Sequence, residues 1–202
     1  MAGIKIKYTK TEQARQKKIL KVSLRMLPLF EAMEKSLVAT IQSISERIEE
    51  IRAKIDRNEQ EAKPWIAVFS DQWVDIGSFI TVHKIRTRPV DVAGVRVQEY
   101  DGVDFNVVPV NENTPIWVDD AIILMQEQLQ LMAEIDCLEK QILLLEEELL
   151  DVRARIKLFE NRRIPNARNA IRKISQKLQD DERITIATAK VVKTKEQEEA
   201  AR

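Results

Sequence analysis

The feature that most constrains this chain is a pair of long amphipathic helix patterns, one in each terminal part. In the N-terminal part, apolar residues recur every three or four positions, at 19, 22, 26, 30, 33, 37, 41, 44, 48, 51 and 55. In the C-terminal part they recur at 131, 135, 138, 142, 145, 149, 152, 156 and 159. Each stripe needs a partner helix, and the simplest partner is the other stripe. The pattern therefore predicts an antiparallel rod formed by both ends of one chain.

Short motifs mark the start and the end of the first helix. Thr9-Lys10-Thr11-Glu12 matches a capping box, in which the threonine accepts a hydrogen bond from a first-turn amide. Pro64 disfavours helical geometry in the residue before it, so the N-terminal shaft helix is predicted over residues 9–63. Pro28 lies inside this helix and should bend it, because its ring clashes with the carbonyl four residues earlier.

The second helix has its own start motif at Thr114-Pro115, where a capping residue precedes proline at the first helical position. No glycine follows, so the C-terminal shaft helix is predicted over residues 115–198, with a kink near Pro165. Antiparallel pairing brings Arg15 near Arg168. Residues after about 176 then have no partner in the chain and should overhang.

Residues 64–114, between the helices, form a predicted small β-containing head. Tyr100-Asp101-Gly102-Val103 predicts a tight hairpin turn between strands at 95–100 and 103–108, and a further strand is expected around 79–87. Gly94 interrupts the alternation of the neighbouring valines, which indicates a β-bulge. We expect three tryptophans to seal this head against the helix ends: Trp65, Trp73 and Trp117. The predicted fold class is mainly α, a long antiparallel two-helix coiled coil with a small β-hairpin-containing middle region.

Charge is balanced overall but unevenly distributed. The chain has 33 Lys and Arg against 33 Asp and Glu, whereas residues 1–25 and 153–177 are strongly basic. Antiparallel pairing places both basic segments at one tip of the rod. The residues predicted to contact a partner there are Arg15, Lys17, Lys18, Lys21, Arg25, Arg162, Arg163, Arg168 and Arg172.

Three interpretations of this basic tip are open. The cations could neutralise the phosphates of a nucleic acid, although Tyr8 and Phe159 are the only nearby aromatic residues available for base stacking. They could instead face a protein partner lined with carboxylates. They could also simply border the apolar stripe as solvated charges.

No catalytic constellation is present in the sequence. No phosphate-binding loop occurs, and one histidine, His83, with one cysteine, Cys137, cannot form a metal cluster or a nucleophile–base triad. We therefore expect no catalytic residue, no cofactor and no metal. The lone cysteine excludes an internal disulfide, and no apolar run is long enough for a signal peptide or a membrane span. A soluble, cytoplasmic protein is expected.

Motifs at both ends resemble the central-stalk D subunit of the vacuolar and archaeal-type rotary ATPases. That family opens its first helix with a pattern close to T-K-[ST]-E-x-x-R-x-K-x-x-L-K, which matches residues 9–21 here. Its last helix carries a segment like R-V-N-A-L-E-x-x-x-I-P, and this chain has Arg155 to Glu160 followed by Ile164-Pro165. The chain departs from the family at Met26-Leu27-Pro28, where Gly-His is usual.

The resemblance implies a specific function and specific partners. The terminal helices would form a rotor shaft inside a ring of alternating catalytic and nucleotide-binding subunits, of the A and B types. The β-containing middle would bind a small companion stalk subunit of the F type, and the base would dock on the funnel subunit of the C type above a proton- or sodium-translocating membrane rotor. The chain itself would catalyse nothing, enter no membrane and bind no nucleic acid. The runner-up functions are a prefoldin-like chaperone and a coiled-coil adaptor.

Overall fold

The computed structural model describes residues 7–69, 76–109 and 117–200. Helix α1 spans Lys10–Phe69, strands β1 and β2 span Ile80–Val92 and Val95–Val107, and helix α2 spans Trp117–Leu158. A 3₁₀ turn at Ile76–Ser78 precedes β1, and a π-helical segment, Phe159–Arg163, joins α2 to helix α3, Ile164–Ala200. The predicted fold class is confirmed, since long helices flank one two-stranded antiparallel sheet among the described residues.

Helix α1 begins where the capping motif predicts but ends later than expected. Thr9 Oγ1 accepts a hydrogen bond from the Glu12 amide at 3.2 Å, which satisfies one of the free donors of the first turn. The helix continues through Pro64 to Phe69, so the predicted end at Lys63 is wrong. A proline removes one backbone hydrogen bond, and a helix that keeps the neighbouring bonds can continue past it.

The chain forms two compact units. One unit combines residues 1–32 with 152–202, and we call it the terminal unit; the other, residues 33–151, is the central unit.

In the central unit, α1 and α2 pack against each other through the predicted stripes. Leu37 and Ile51 of α1 and Leu145 of α2 are completely buried. Arg47 of α1 binds Glu134 of α2 at 3.0 Å, and five residues further along α1 Arg52 binds Glu139 at 3.1 Å.

The β-hairpin of the central unit turns at Ala93-Gly94. These residues have φ angles of 53° and 86°, and positive values at both positions are those of a type I′ turn. The predicted turn at residues 100–103 is therefore wrong, and so is the bulge at Gly94. Gly102 instead lies within β2, opposite Arg86, where a register shift leaves Asp101 as the extra residue of a bulge.

The turn lies at Gly94 and the bulge next to Gly102, which is the reverse of the prediction, and the length of the strands explains why. Both glycines have positive φ, and local sequence favours Gly102 as the turn, because Asp-Gly is a preferred type I′ pair and Ala-Gly is not. A turn at Ala93-Gly94 lets two strands of 13 residues pair along their whole length. A turn at Gly102 would leave most of the first strand unpaired, with its backbone groups unsatisfied.

The hairpin packs on the helices of the central unit. Ile80 of β1 forms a buried cluster with Val118 and Ile122 of α2, and Trp117 packs against this cluster. Further along, the side-chain amide of Gln141 donates to the carbonyl of Gln98 in β2 at 2.7 Å. The predicted roles of Trp65 and Trp73 and the cap at Thr114-Pro115 lie outside what the structure describes.

In the terminal unit, the buried face of α1 differs by one residue from the predicted stripe. Ser23 is 1% exposed, whereas the predicted stripe residue Val22 is 51% exposed. Ala167 and Ala170 of α3 are also buried. Small side chains at buried positions allow helix backbones to approach closely, and a valine would separate them.

A π turn lies just before Pro165, where the sequence predicts a kink. The Ile164 amide donates to the Phe159 carbonyl, five residues earlier, and the buried positions step by five from Phe159 to Ile164. Pro165 has no N–H to donate, and its ring excludes the carbonyl four residues earlier. The wider turn just before it inserts one residue and keeps the buried stripe continuous through Ala167 and Ile174.

The last part of α3 is exposed on all sides. Ile174 is completely buried, whereas every residue from 179 to 197 is exposed, including Ile184, Ile186 and Val191. Near the start of this stretch, Glu182 lies 3.9 Å from Lys10, the first residue of α1.

Candidate interaction surface

The nine predicted contact residues all lie in the terminal unit, and all are exposed. Five belong to the N-terminal part of α1, two to the π-helical segment and two to α3; they are Arg15, Lys17, Lys18, Lys21, Arg25, Arg162, Arg163, Arg168 and Arg172. We call this set the basic surface. Its members are exposed because the apolar stripe of each helix occupies the inner face and leaves the intervening positions in solvent.

The structure brings the two basic stretches together at one point. Arg15 of α1 and Arg163 of the π-helical segment line one cleft, together with Asn166 and Ala167 of α3. The other seven cations do not line this cleft. The sequence predicted Arg168 opposite Arg15, so the observed neighbours lie within a few residues of that expectation.

The cleft has a volume of about 440 Å³ and is predominantly cationic. Lys7, Arg15 and Arg163 contribute positive charge, and Glu12 contributes the one carboxylate of its lining. Glu12 accepts a hydrogen bond from Gln16 Nε2 at 2.8 Å and lies 3.6 Å from the Arg15 guanidinium. The other eight cations of the basic surface make no ion pair with a carboxylate of residues 7–69, 76–109 or 117–197.

An aromatic pair contacts Arg163, one of the residues that line the cleft. Phe30 of α1 and Phe159 meet edge to face, with ring centroids 5.4 Å apart and an interplanar angle of 68°. The Arg163 guanidinium carbon lies 4.9 Å from the Phe159 centroid, which is cation–π distance. The sequence placed Phe159 on the apolar stripe, and its four-residue spacing from Arg163 is the signal that could have found this stack, since side chains four apart are neighbours on a helix.

The same aromatic pair bears on nucleic-acid binding. Phe159 is 8% exposed, so its ring is not available to stack on a base. Tyr8 is half exposed and remains the one described aromatic residue that could do so on this surface. The geometry therefore favours a carboxylate-bearing partner over a single-stranded nucleic acid.

Other reactive groups lie outside the basic surface. His83 is exposed on β1, and Cys137 is buried in α2, where burial raises the pKa of its thiol. Among the described residues there is no group of three or more potential metal ligands. No described helix is long and apolar enough to cross a membrane.

The fold and the basic surface define a class of protein: paired antiparallel helices that carry a packed β-hairpin and a cationic contact surface. The model of one family, described as the ATP synthase D subunit, matches residues 12–194. The chain therefore belongs to the ATP synthase D subunit family, which confirms the resemblance seen at both ends of the sequence.

Curated relatives carry matching names. The chain is 29% identical over 191 residues to the V-type ATP synthase D subunit of Borreliella burgdorferi, covering 94% of each chain. It is 26% identical over 196 residues to that of Chlamydia muridarum, covering 96% of this chain and 97% of the relative. A stretch of 86 residues is 33% identical to that of Chlamydia trachomatis, covering 43% of this chain and 42% of the relative.

Proposed function

We propose that this chain is the central rotor shaft of a V-type ATP synthase. It would couple ATP hydrolysis or synthesis in a catalytic ring to rotation of a proton- or sodium-translocating rotor in the membrane. The observation that carries this proposal is the exposed basic surface on the paired helices of a chain from this family. The shaft would contain no catalytic site, because its role is mechanical.

The helices suit the transmission of torque. A continuous helix resists bending, and α1 runs for 60 residues without a break. Ion pairs between α1 and α2, such as Arg47–Glu134, add to the buried stripe in resisting slippage of one helix past the other. The basic surface would face carboxylates of the A- and B-type ring subunits. Exposed ion pairs are each worth about 0–1 kcal/mol, so they can be exchanged during rotation at low cost.

The hairpin and the base would bind the other stalk subunits. Val82, Val107 and Val108 are about half exposed, which gives an F-type partner an apolar strip at the open end of the hairpin. The C-type funnel subunit would dock at the base. The complex would hold the chain at the cytoplasmic face of the membrane.

The exposed end of α3 would be the upper pivot. Ile184, Ile186 and Val191 are each more than half exposed, and apolar residues on all sides of a helix are typical of a segment enclosed by another protein. An apolar sleeve also permits rotation, because it forms no directional bonds with the helix.

Co-purification with rotation assays tests this proposal. A tagged chain should recover a nucleotide-binding hexamer that contains one copy of the chain. Reversing charge at Lys17, Lys21 and Arg168 together should weaken assembly or ATP-driven rotation, because like charges would then meet inside the ring. The control is Lys54→Glu, an exposed lysine of the central unit. Full assembly and rotation in the triple variant would contradict the role of the basic surface.

A further inference from the structure

We propose that the cleft between α1 and the π-helical segment is a socket, a binding site for one carboxylate side chain of the partner ring. In the free chain, the carboxylate of Glu12 neutralises part of the positive charge of this socket. This inference rests on the proposed function and narrows it. In the general proposal, all nine cations of the basic surface attract the ring. In the socket proposal, Arg15 and Arg163 make the specific contact with one carboxylate of that ring.

The lining of the cleft has the chemistry of a carboxylate site. The residues that line it include two arginines, one lysine and two side-chain amides, from Gln16 and Asn166, around a volume of about 440 Å³. Guanidinium groups bind carboxylates with paired, charge-assisted hydrogen bonds, and amides can supply further donors. The amides of Glu12 and Gln13 do not serve this site, because they already donate to the hydroxyl and the carbonyl of Thr9.

Arg163 is held in place before a partner arrives. Its guanidinium lies over the Phe159 ring, which is itself fixed against Phe30. A stacked guanidinium keeps its N–H donors at its edge, free to bind a carboxylate. Preorganisation of this kind lowers the entropic cost of binding.

Glu12 behaves as an internal substitute for the ligand. Its side chain is 17% exposed, whereas that of Arg15 is 72% exposed. Its contact with Arg15 is long, at 3.6 Å, while its hydrogen bond with Gln16 is short, at 2.8 Å. An incoming carboxylate can therefore bind Arg15 at close range while Glu12 keeps Gln16. The negative charge of Glu12 opposes that binding.

Calorimetric titration of the full-length chain into the purified A–B hexamer tests the socket. Arg15→Gln and Arg163→Gln should each weaken binding about tenfold, as expected for a lost charge-assisted contact. Lys173→Gln, the matched control at an exposed cation of the terminal unit outside both the cleft and the basic surface, should change affinity by about twofold or less. Glu12→Gln should tighten binding about threefold, because it removes the opposing negative charge. The backbone amide of residue 12 still donates to Thr9 in this variant, so the helix cap is kept.

A double variant makes the test specific. In Glu12→Gln with Arg15→Gln, the gain from removing Glu12 should disappear, because the two side chains act on the same ligand. Equal losses at Arg15 and Lys173, or no gain from Glu12→Gln, would overturn the socket and leave the shaft proposal standing. A wild-type chain that fails to bind the hexamer would overturn both. Circular dichroism of each variant verifies that the helices are intact.

Discussion

The side-chain amide of Gln141 in α2 donates a 2.7 Å hydrogen bond to the backbone carbonyl of Gln98 in β2. Gln141 is 6% exposed, so this bond ties the hairpin to the helix through a buried side chain. A buried polar side chain facing a strand carbonyl fixes where along α2 the hairpin sits, because a shift of one residue would leave both groups unsatisfied.

Replacing Gln141 should loosen the hairpin. Gln141→Leu leaves the Gln98 carbonyl without its donor, which should lower the free energy of unfolding by about 1–3 kcal/mol. Denaturant titration followed by circular dichroism measures this loss. Gln130→Leu, at an exposed position of the same helix, is the matched control and should change stability little. Equal stability of the two variants would contradict a structural role for the Gln141 bond.

The position of the hairpin turn predicts that an asparagine substitution stabilises the chain at one site and not at another. Ala93→Asn should stabilise the chain by about 0.5–1 kcal/mol, because Asn-Gly is the preferred sequence for a type I′ turn and alanine is strained at positive φ. Asp101→Asn should not stabilise, since Asp101 lies in a bulge and is 3.9 Å from Arg86. Thermal melting distinguishes the two. If Asp101→Asn stabilised the chain and Ala93→Asn did not, the turn would lie at residues 101–102 and not at Ala93-Gly94.

The π turn predicts that one residue can be removed without loss of packing. Deleting Asn161 together with Pro165→Ala should change the five-residue step from Phe159 to Ile164 into a regular step of four. The melting temperature should stay the same or rise. Deleting Glu147, within regular helix, should lower it strongly, because one part of the stripe then rotates by about 100° relative to the other. Comparable destabilisation by both deletions would count against this role of the π turn.

The exposed end of α3 should be dispensable for folding and required for coupling. Removing residues 183–202 should leave the melting temperature nearly unchanged, because residues 183–197 are all exposed. Removing residues from 171 onward should lower it clearly, because Ile174 is completely buried. If the end is the upper pivot, the shorter truncation should still reduce torque in a single-molecule rotation assay. Unchanged torque would argue against a pivot.

Stability should fall at alkaline pH because of two groups in the central unit. Burial raises the pKa of the Tyr100 hydroxyl, with a further contribution from the charge of Glu134, and burial also raises the pKa of the Cys137 thiol. The unfolded chain therefore loses these protons at lower pH than the folded chain. The contribution to stability is constant below about pH 8 and declines as pH rises through the unfolded values, about 8.5 and 10.

Substitution separates the two groups. Tyr100→Phe should remove the part of the alkaline decline that lies near pH 10, measured by denaturant unfolding at several pH values. Tyr8→Phe, at an exposed tyrosine of the terminal unit, is the matched control. An alkaline decline that is the same in both variants would show that Tyr100 does not contribute.

Much of the candidate surface follows from the sequence, and the cleft within it does not. Lys21 and Arg25 fall between stripe positions, and the other seven cations lie just beyond the ends of the stripes, so their exposure follows from the same helical period continued past those ends. The π turn changes the direction of every side chain after it, so the period continued through residues 159–163 misplaces Asn166 and Ala167 of the cleft by about one residue.

The sequence by itself determined which segments become helices, where α1 begins and which faces they bury. Those properties depend on contacts within a few residues, namely the Thr9 cap and the three- and four-residue apolar steps. The tertiary structure decided between Gly94 and Gly102 as the turn and between Ser23 and Val22 as the buried side chain, and it placed a π turn before Pro165. Local sequence left these choices open or, at the two glycines, favoured the other outcome. Strand pairing and the approach of neighbouring helices, which join residues far apart in the chain, supplied the free energy that decided them.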